Sequence, residues 1–325
     1  MKRRFGRLVS ALVFPLLTPC LLVAQTSVEG RWQGSINTPH GALGSGTWRL
    51  ERAARPDGGW ERLTGGTKVS TVESHEAPSL FDEVGGRFYF TRASADFASS
   101  RVLVLAREGE DPSPALFSTG PYDAGLTRDP VGDLYIFTSK RPTGDPAHPD
   151  AWNLWAVTDD GAGAVPLPSP VNSPASECCA AFAPDGSFLF STDRDGSWDI
   201  YRARPAGAGA WTVTKLEGSL NSDGHEWPSQ VARQGGMLLF NSMRPGGFGG
   251  DDLFAACRQG SEDRWEAVRL PATVNTEGFE DSGMLTPDGR TYFWSGRRLD
   301  LQGTADILSL GADEVGFPDC DPVAG

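Results

Sequence analysis

Positive charge is scarce in this chain. Lysine and arginine total 29 against 42 aspartates and glutamates, giving a formal net charge of −13. Such a surface repels phosphate backbones and anionic lipid, which argues against nucleic-acid or membrane-surface binding as a main role. Sustained apolar runs are missing beyond the first 24 residues. No stretch carries a capped 3.6-residue apolar period, so helix is expected to be rare. No CxxC spacing occurs, which leaves a zinc site without support. There is no Gly-x-Ser-x-Gly elbow for a serine hydrolase, and no glycine-rich loop opens a helix to cradle phosphate. Histidine numbers four, so imidazole chemistry has few places to sit.

What the chain does have begins with a leader. Lys2, Arg3, Arg4 and Arg7 precede a mostly apolar stretch from Leu8 to Ala24, broken by Pro15 and Pro19. This is the pattern of a secretory signal peptide cut near Ala24, and residues 1–24 are assigned to it. The prolines and the short run argue against a membrane anchor. Pro19 stands where a lipidation site needs a small residue before Cys20, so plain export is favoured. After the leader remain Cys178, Cys179, Cys257 and Cys320. An oxidising compartment allows them three pairings. Cys257 with Cys320 is one, and it would pin the C-terminal tail. The neighbours Cys178 and Cys179 are expected on opposite faces of a strand rather than joined.

Glycine (40) and proline (24) make up about a fifth of the chain, which implies many tight turns and short strands. The sequence also repeats. Aromatic strands centred on Phe90, Phe137, Phe190, Phe240 and Phe293 recur at roughly 50-residue intervals, the mark of a propeller or solenoid. Each unit opens on an acid: Glu76, Asp123, Glu177, Glu226 or Glu280. In the last three, an asparagine (Asn172, Asn221, Asn275) stands five residues earlier. A short strand follows the acid, then a turn such as Pro184-Asp185-Gly186, then the aromatic strand, a loop, and a third strand such as Asp199-Ile200-Tyr201. Where a fourth strand shows, it starts at Trp211 or Trp265. Four short antiparallel strands per unit make the blade of an all-β propeller. The favoured count is six blades, with Val28 to Leu63 and the C-terminal tail supplying the sixth. The alternative is five, with N-terminal strands completing the last blade. Either way residues 25–65 close the ring and 66–325 carry the repeats.

Ala183-Pro184-Asp185-Gly186 through Arg194-Asp195-Gly196, with Asp199-Ile200-Tyr201, resembles the TolB-type, WD-like propeller repeat. Arg244 to Leu253 resembles its glycine-rich form, and Thr286-Pro287-Asp288-Gly289 with Phe293 and Asp306-Ile307 is a third match. The resemblance spans about Glu73 to Leu310 and is stronger in the last three units. It implies a periplasmic or extracellular propeller, often a binding scaffold, and no particular reaction.

Repeated polar residues are the candidate site. Arg141, Arg194, Arg244 and Arg297 end second strands, while Asn153, Asp199, Asp252 and Asp306 begin third strands. Arg–Asp pairs across the hairpin loop are expected in three units. In the functional alternative, some arginines face the channel mouth and bind an anion. Glu76, Glu177, Glu226 and Glu280, with Asp123, would either ring that mouth or bond the next blade's backbone. His75 and His225 each precede one of these glutamates, the single constellation with metal-ligand chemistry. Neighbouring acids such as Glu280-Asp281 read as solvated loop rather than acid–base machinery. The functional expectation is an exported, non-catalytic binding or scaffold propeller with no cofactor. It would recognise an envelope or extracellular protein, peptide or glycan at its mouth. The alternative is an extracellular polymer-acting hydrolase or lyase with a metal there.

Overall fold

The aligned phenylalanines all stand in the second strand of an antiparallel sheet. In this computed structural model the described residues are 69–322, interrupted at 70, 72, 84–85, 106–110, 131, 145–150, 159–162, 261–262 and 298–304. To these are added the backbones of six short strands between 28 and 63. The leader lies outside the described residues.

Five sheets follow one another around a ring. Blade 1 is Ser74–Asp82, Arg87–Ser94, Ser100–Leu105 and Ser113–Pro114. Blade 2 is Asp123–Arg128, Leu134–Ser139, Asn153–Thr158 and Val165–Pro166. Blade 3 is Glu177–Phe182, Phe188–Thr192, Asp199–Pro205 and Trp211–Lys215. Blade 4 is Glu226–Val231, Met237–Ser242, Asp252–Arg258 and Arg264–Arg269, with Glu217–Gly218 added along its outer edge. Blade 5 is Phe279–Leu285, Thr291–Arg297 and Asp306–Gly311, and Glu61–Leu63 supplies its outer strand in the register Leu308↔Arg62. The ring therefore has five blades and not the favoured six. Val28–Arg31 and Thr47–Leu50 pair only with each other, and the tail after Gly311 turns into a one-turn helix, Ala312–Val315. The pieces assigned to a sixth blade are thus spent elsewhere, and the N-terminal strand closes the ring.

Burial explains the strand sequences. An inner strand is covered on both faces by neighbouring blades, so Phe188–Thr192 is buried at every position. The outer Trp211–Lys215 is covered poorly and carries polar residues. The core is accordingly not one cluster but five, each between adjacent blades. Phe88, Phe90 and Leu103 of blade 1, for example, meet Met284, Phe293 and Ile307 of blade 5 across the closure.

Repeated polar bonds stitch the blades. The backbone N–H of the opening acid donates to the carbonyl of the residue before the previous blade's third strand. The pairs are Glu76 to Ala305 (2.9 Å), Glu177 to Trp152 (2.8 Å), Glu226 to Trp198 (2.9 Å) and Glu280 to Asp251 (3.0 Å). The recurring asparagines also work between blades. Asn275 Oδ1 accepts from Leu253 N–H at 2.7 Å, and its Nδ2 donates to the carbonyls of Leu253 (2.9 Å) and Leu270 (2.8 Å). Asn172 and Asn221 repeat this one blade apart.

The tail crosses from blade 5 onto blade 4. Cys257 and Cys320 are bonded across 63 residues of sequence, Val315 is buried, and Phe317 meets the Tyr292 ring edge-on at 5.1 Å. Gly236, in a blade 4 turn, has no room for a side chain because a Cβ would overlap the Asp321 carbonyl.

Candidate functional site

The five opening acids are fully buried, behind the channel wall rather than on it. Glu226 accepts from the Ser222 amide and hydroxyl, from Ser242 Oγ at 2.8 Å and from Arg244 Nη2 at 3.4 Å. Glu177 has the same set from Ser173, Thr192 and Arg194. Asp123 takes bonds from Gly120, Ser118, Ser139 and Arg141, and Glu76 from Thr71 and Arg92. Glu280 receives the Thr276 amide and hydroxyl. Burial still dominates at Glu76, where the carboxyl is pushed up to about 7 although Thr71 and Arg92 oppose it. Burial raises Glu177 as well.

The strand-end arginines pair with these acids and not with the aspartates expected across the loop. Arg141, Arg194 and Arg244 reach Asp123, Glu177 and Glu226 at 2.9, 3.2 and 3.4 Å. Each also donates to a carbonyl before the acid and stacks on its own strand's phenylalanine, Phe137, Phe190 or Phe240. The third-strand aspartates find cations on fourth strands instead. Asp199 meets Lys215 at 2.8 Å, and Asp252 meets Arg269 at 3.3 Å. A second strand neighbours both the first and the third, and the fully buried acid has the greater need for a counter-charge. The Arg297 side chain falls outside the described residues.

Nor do the two histidines converge as ligands. His75 Nδ1 accepts the Ala305 amide at 3.0 Å, and Nε2 lies 3.1 Å from the Ala95 carbonyl. His225 Nδ1 accepts the Trp198 amide at 3.2 Å. Among the described residues no group of three or more His, Cys, Asp or Glu is placed to hold a metal.

The channel itself is lined by residues beside the repeated ones. A cavity of about 600 Å³ opens among all five blades. Much of its wall, beside Thr138, Lys140 and Asn241 in or next to second strands, comes from three repeat positions. One lies just before the opening acid (His75, Tyr122, Phe279), one just after it, and one just before the third strand (Trp152, Trp198, Asp251, Ala305). Each first strand is bulged right after its acid, for instance between Ala124 and Thr127 or between Asp281 and Met284. At the bulge Gly125, Cys179 and Ser282 take φ of 61°, 63° and 54°. A bulge re-aims side chains, and here all three residues line the cavity. The bulge also brings the Cys178 and Cys179 sulfurs together, 2.6 Å apart as free thiols, instead of sending them to opposite faces.

Two sectors of the wall differ in chemistry. Blades 1 to 4 carry an aromatic arc. Phe97 stacks on His75 (4.1 Å), Tyr122 on Trp152 (5.3 Å), and Trp152, Trp198 and Trp227 follow at 6.3 and 6.4 Å. The Lys140 ammonium sits 5.4 and 5.1 Å from the Tyr122 and Trp152 ring centres. Blades 4 and 5 carry two carboxylates, Asp251 and Asp281. Asp251 is 4% exposed, and its Oδ2 accepts from Asn241 Nδ2 at 2.6 Å. Asp251 Oδ1 and Asp281 Oδ1 are buried with no hydrogen-bond partner among the described residues. Burial, then the charge of Asp281, holds Asp251 well above the usual carboxylate range. Burial lifts Asp281 to about 6, against hydrogen bonds from Ser282 and Ser295. Asp281 is therefore cavity wall and not the solvated loop expected of Glu280-Asp281. Burial and the Asp281 charge push the Tyr122 hydroxyl up to about 12. Asp251 and the tryptophans escaped the sequence reading because they vary between units. The signal was there in the position before each third strand.

Solved structures are similar to this chain. TolB from Agrobacterium tumefaciens is similar, with 19% identity over 78% of this chain and 87% of that one and a TM-score of 0.47. TolB from Acinetobacter baumannii is 14% identical over 73% of this chain and 63% of its own, with a TM-score of 0.41. The catalytic domain of the Coprinopsis cinerea GH62 alpha-L-arabinofuranosidase is 11% identical over 76% and 93%, with a TM-score of 0.50. No protein-family model and no curated protein matches the chain. These identities speak to fold alone, and the order of its sheets makes the chain a five-bladed β-propeller with repeats of the TolB type.

Proposed function

We propose that this chain is an exported binding propeller that recognises a protein, peptide or glycan ligand at the mouth of its channel. One observation carries the reading. The repeated charges are consumed between blades, while the varied residues build a cavity with a long aromatic wall and buried, unsatisfied carboxylate oxygens. Cavities of this size with few polar groups are typical ligand sites. Export is supported by the leader-like residues 1–24 and by the disulfide. No described helix is long and apolar enough to cross a membrane. The test is intrinsic tryptophan fluorescence of the protein starting at Gln25, titrated with envelope peptides and glycan oligomers. Binding that Trp198→Ala weakens at least tenfold supports the reading. Saturable binding untouched by Trp198→Ala and Trp227→Ala places the ligand elsewhere and refutes it.

A second reading rests on the pair Asp251 and Asp281. Hydrolysis of a glycosidic bond requires one carboxyl that keeps its proton and one that is ionised, and burial holds Asp251 well above the usual carboxylate range while lifting Asp281 only to about 6. It needs no metal. Release of reducing ends from a polysaccharide panel, lost in Asp281→Asn, would establish it.

A further inference from the structure

We propose that the cavity takes a ligand ending in a primary ammonium group, held between Asp251 and Asp281 with its body against the tryptophan arc. The proposal deepens the binding reading above and rests on it. Asp251 is more than nine-tenths buried, lines the cavity, and keeps one carboxylate oxygen without a partner among the described residues. Asp281 adds a second such oxygen on the neighbouring blade. No described lysine or arginine pairs with either. Buried carboxyl oxygens without a donor, in a pair that carries negative charge once Asp281 ionises, call for a cation that brings N–H groups. The aromatic wall favours a cation as well, since ring faces attract positive charge. Lys140 already shows this by laying its ammonium on Tyr122 and Trp152. The two orphan oxygens choose among cations. They need N–H donors, which a primary ammonium supplies and a quaternary ammonium lacks. A ligand entering from solvent would set its ammonium in the sector of blades 4 and 5. Its apolar part would then cross toward Trp198 and Trp227.

Three matched probes test this at pH 8, where Asp281 is ionised. They are phenethylamine, its trimethylated ammonium analogue, and 2-phenylethanol, each followed by calorimetry and tryptophan fluorescence. Phenethylamine is expected to bind at least tenfold more tightly than either of the others. Asp251→Asn with Asp281→Asn is expected to erase that preference. Lys140→Gln, which frees two ring faces and removes a competing charge, is expected to strengthen amine binding several-fold. A gain of that kind does not arise from misfolding. Equal binding of the alcohol and the amine overturns the ammonium proposal while the cavity remains a binding site. Equal binding of the trimethylated analogue overturns the donor argument and with it the primary amine. No binding of any probe, peptide or glycan overturns both readings.

Discussion

Removing the Cys257–Cys320 bridge measures how far the ring depends on its tail. The bridge spans 63 residues, which include the fourth strand of blade 4 and the first three strands of blade 5. In the chain-entropy description, a crosslink over a loop that long restricts the unfolded chain by about 4 kcal/mol at 25 °C. Without it the tail is held by buried Val315, the Phe317–Tyr292 contact and the close approach of Asp321 to Gly236. Urea denaturation compares the oxidised protein with Cys257→Ser/Cys320→Ser. With the denaturant sensitivity usual for chains of this class, the midpoint falls by on the order of 1 M. Reduction of the wild-type protein reproduces the shift. A midpoint change under about 0.2 M, in a variant whose tail remains resistant to protease, would refute the argument. The bridge would then constrain nothing that the tail contacts do not already hold.

Three further outcomes are expected. Glu76 holds its proton in the fold up to about pH 7, whereas its ordinary value is 4.5. Its contribution to stability is therefore full below pH 4.5 and lost as pH rises through 7. Urea midpoints fall between pH 5.5 and 8, and Glu76→Gln flattens part of that slope. Asn275→Ala strips three buried bonds from Leu253 and Leu270 and costs about 3 kcal/mol. Thermal unfolding registers this as a Tm lower by roughly 5 to 10 °C. The chain from Gln25, denatured without reductant, yields two thiols to Ellman's reagent, from Cys178 and Cys179. A count of zero would show the neighbours joined to each other.

Much of the fold was legible because propeller physics writes itself into the repeat. Inner strands buried on both faces must be apolar, so Phe188-Leu189-Phe190 and Leu238-Leu239-Phe240 stand out. Of the three pairings open to the four cysteines, Cys257 with Cys320 is the one found. Blade count was harder, because the N-terminal region carries strands resembling the outer half of a blade. One of them, Glu61–Leu63, is the outer half of blade 5. Only the register tells completion of an old blade from the start of a new one. The Arg–Asp pairing misled because a second strand has two neighbours, and loop proximity favours the wrong one. The site was hidden for a different reason. Repetition drew attention to Glu76, Glu177, Glu226 and Glu280, whose sameness reflects a shared job of joining blades. Trp152, Trp198, Asp251 and Ala305 occupy one repeat position with four unlike environments to make, and a binding wall is built from such differences.

The closure by Glu61–Leu63 has a consequence for how the molecule is made. The strand that completes blade 5 is synthesised before any blade exists, and its partner Asp306–Gly311 comes only after blades 1 to 4. A strand made before the blades is thus paired after four of them are complete. During synthesis the first four blades emerge with one flank of blade 1 uncovered, and Phe88 and Phe90 wait for Phe293 and Ile307. Contacts this distant in sequence make slow folding and exposed strand edges the hazard of the design. Any tag or fusion placed ahead of residue 61 sits on the latch of the ring. Such a fusion would slow closure more than it weakens the finished protein.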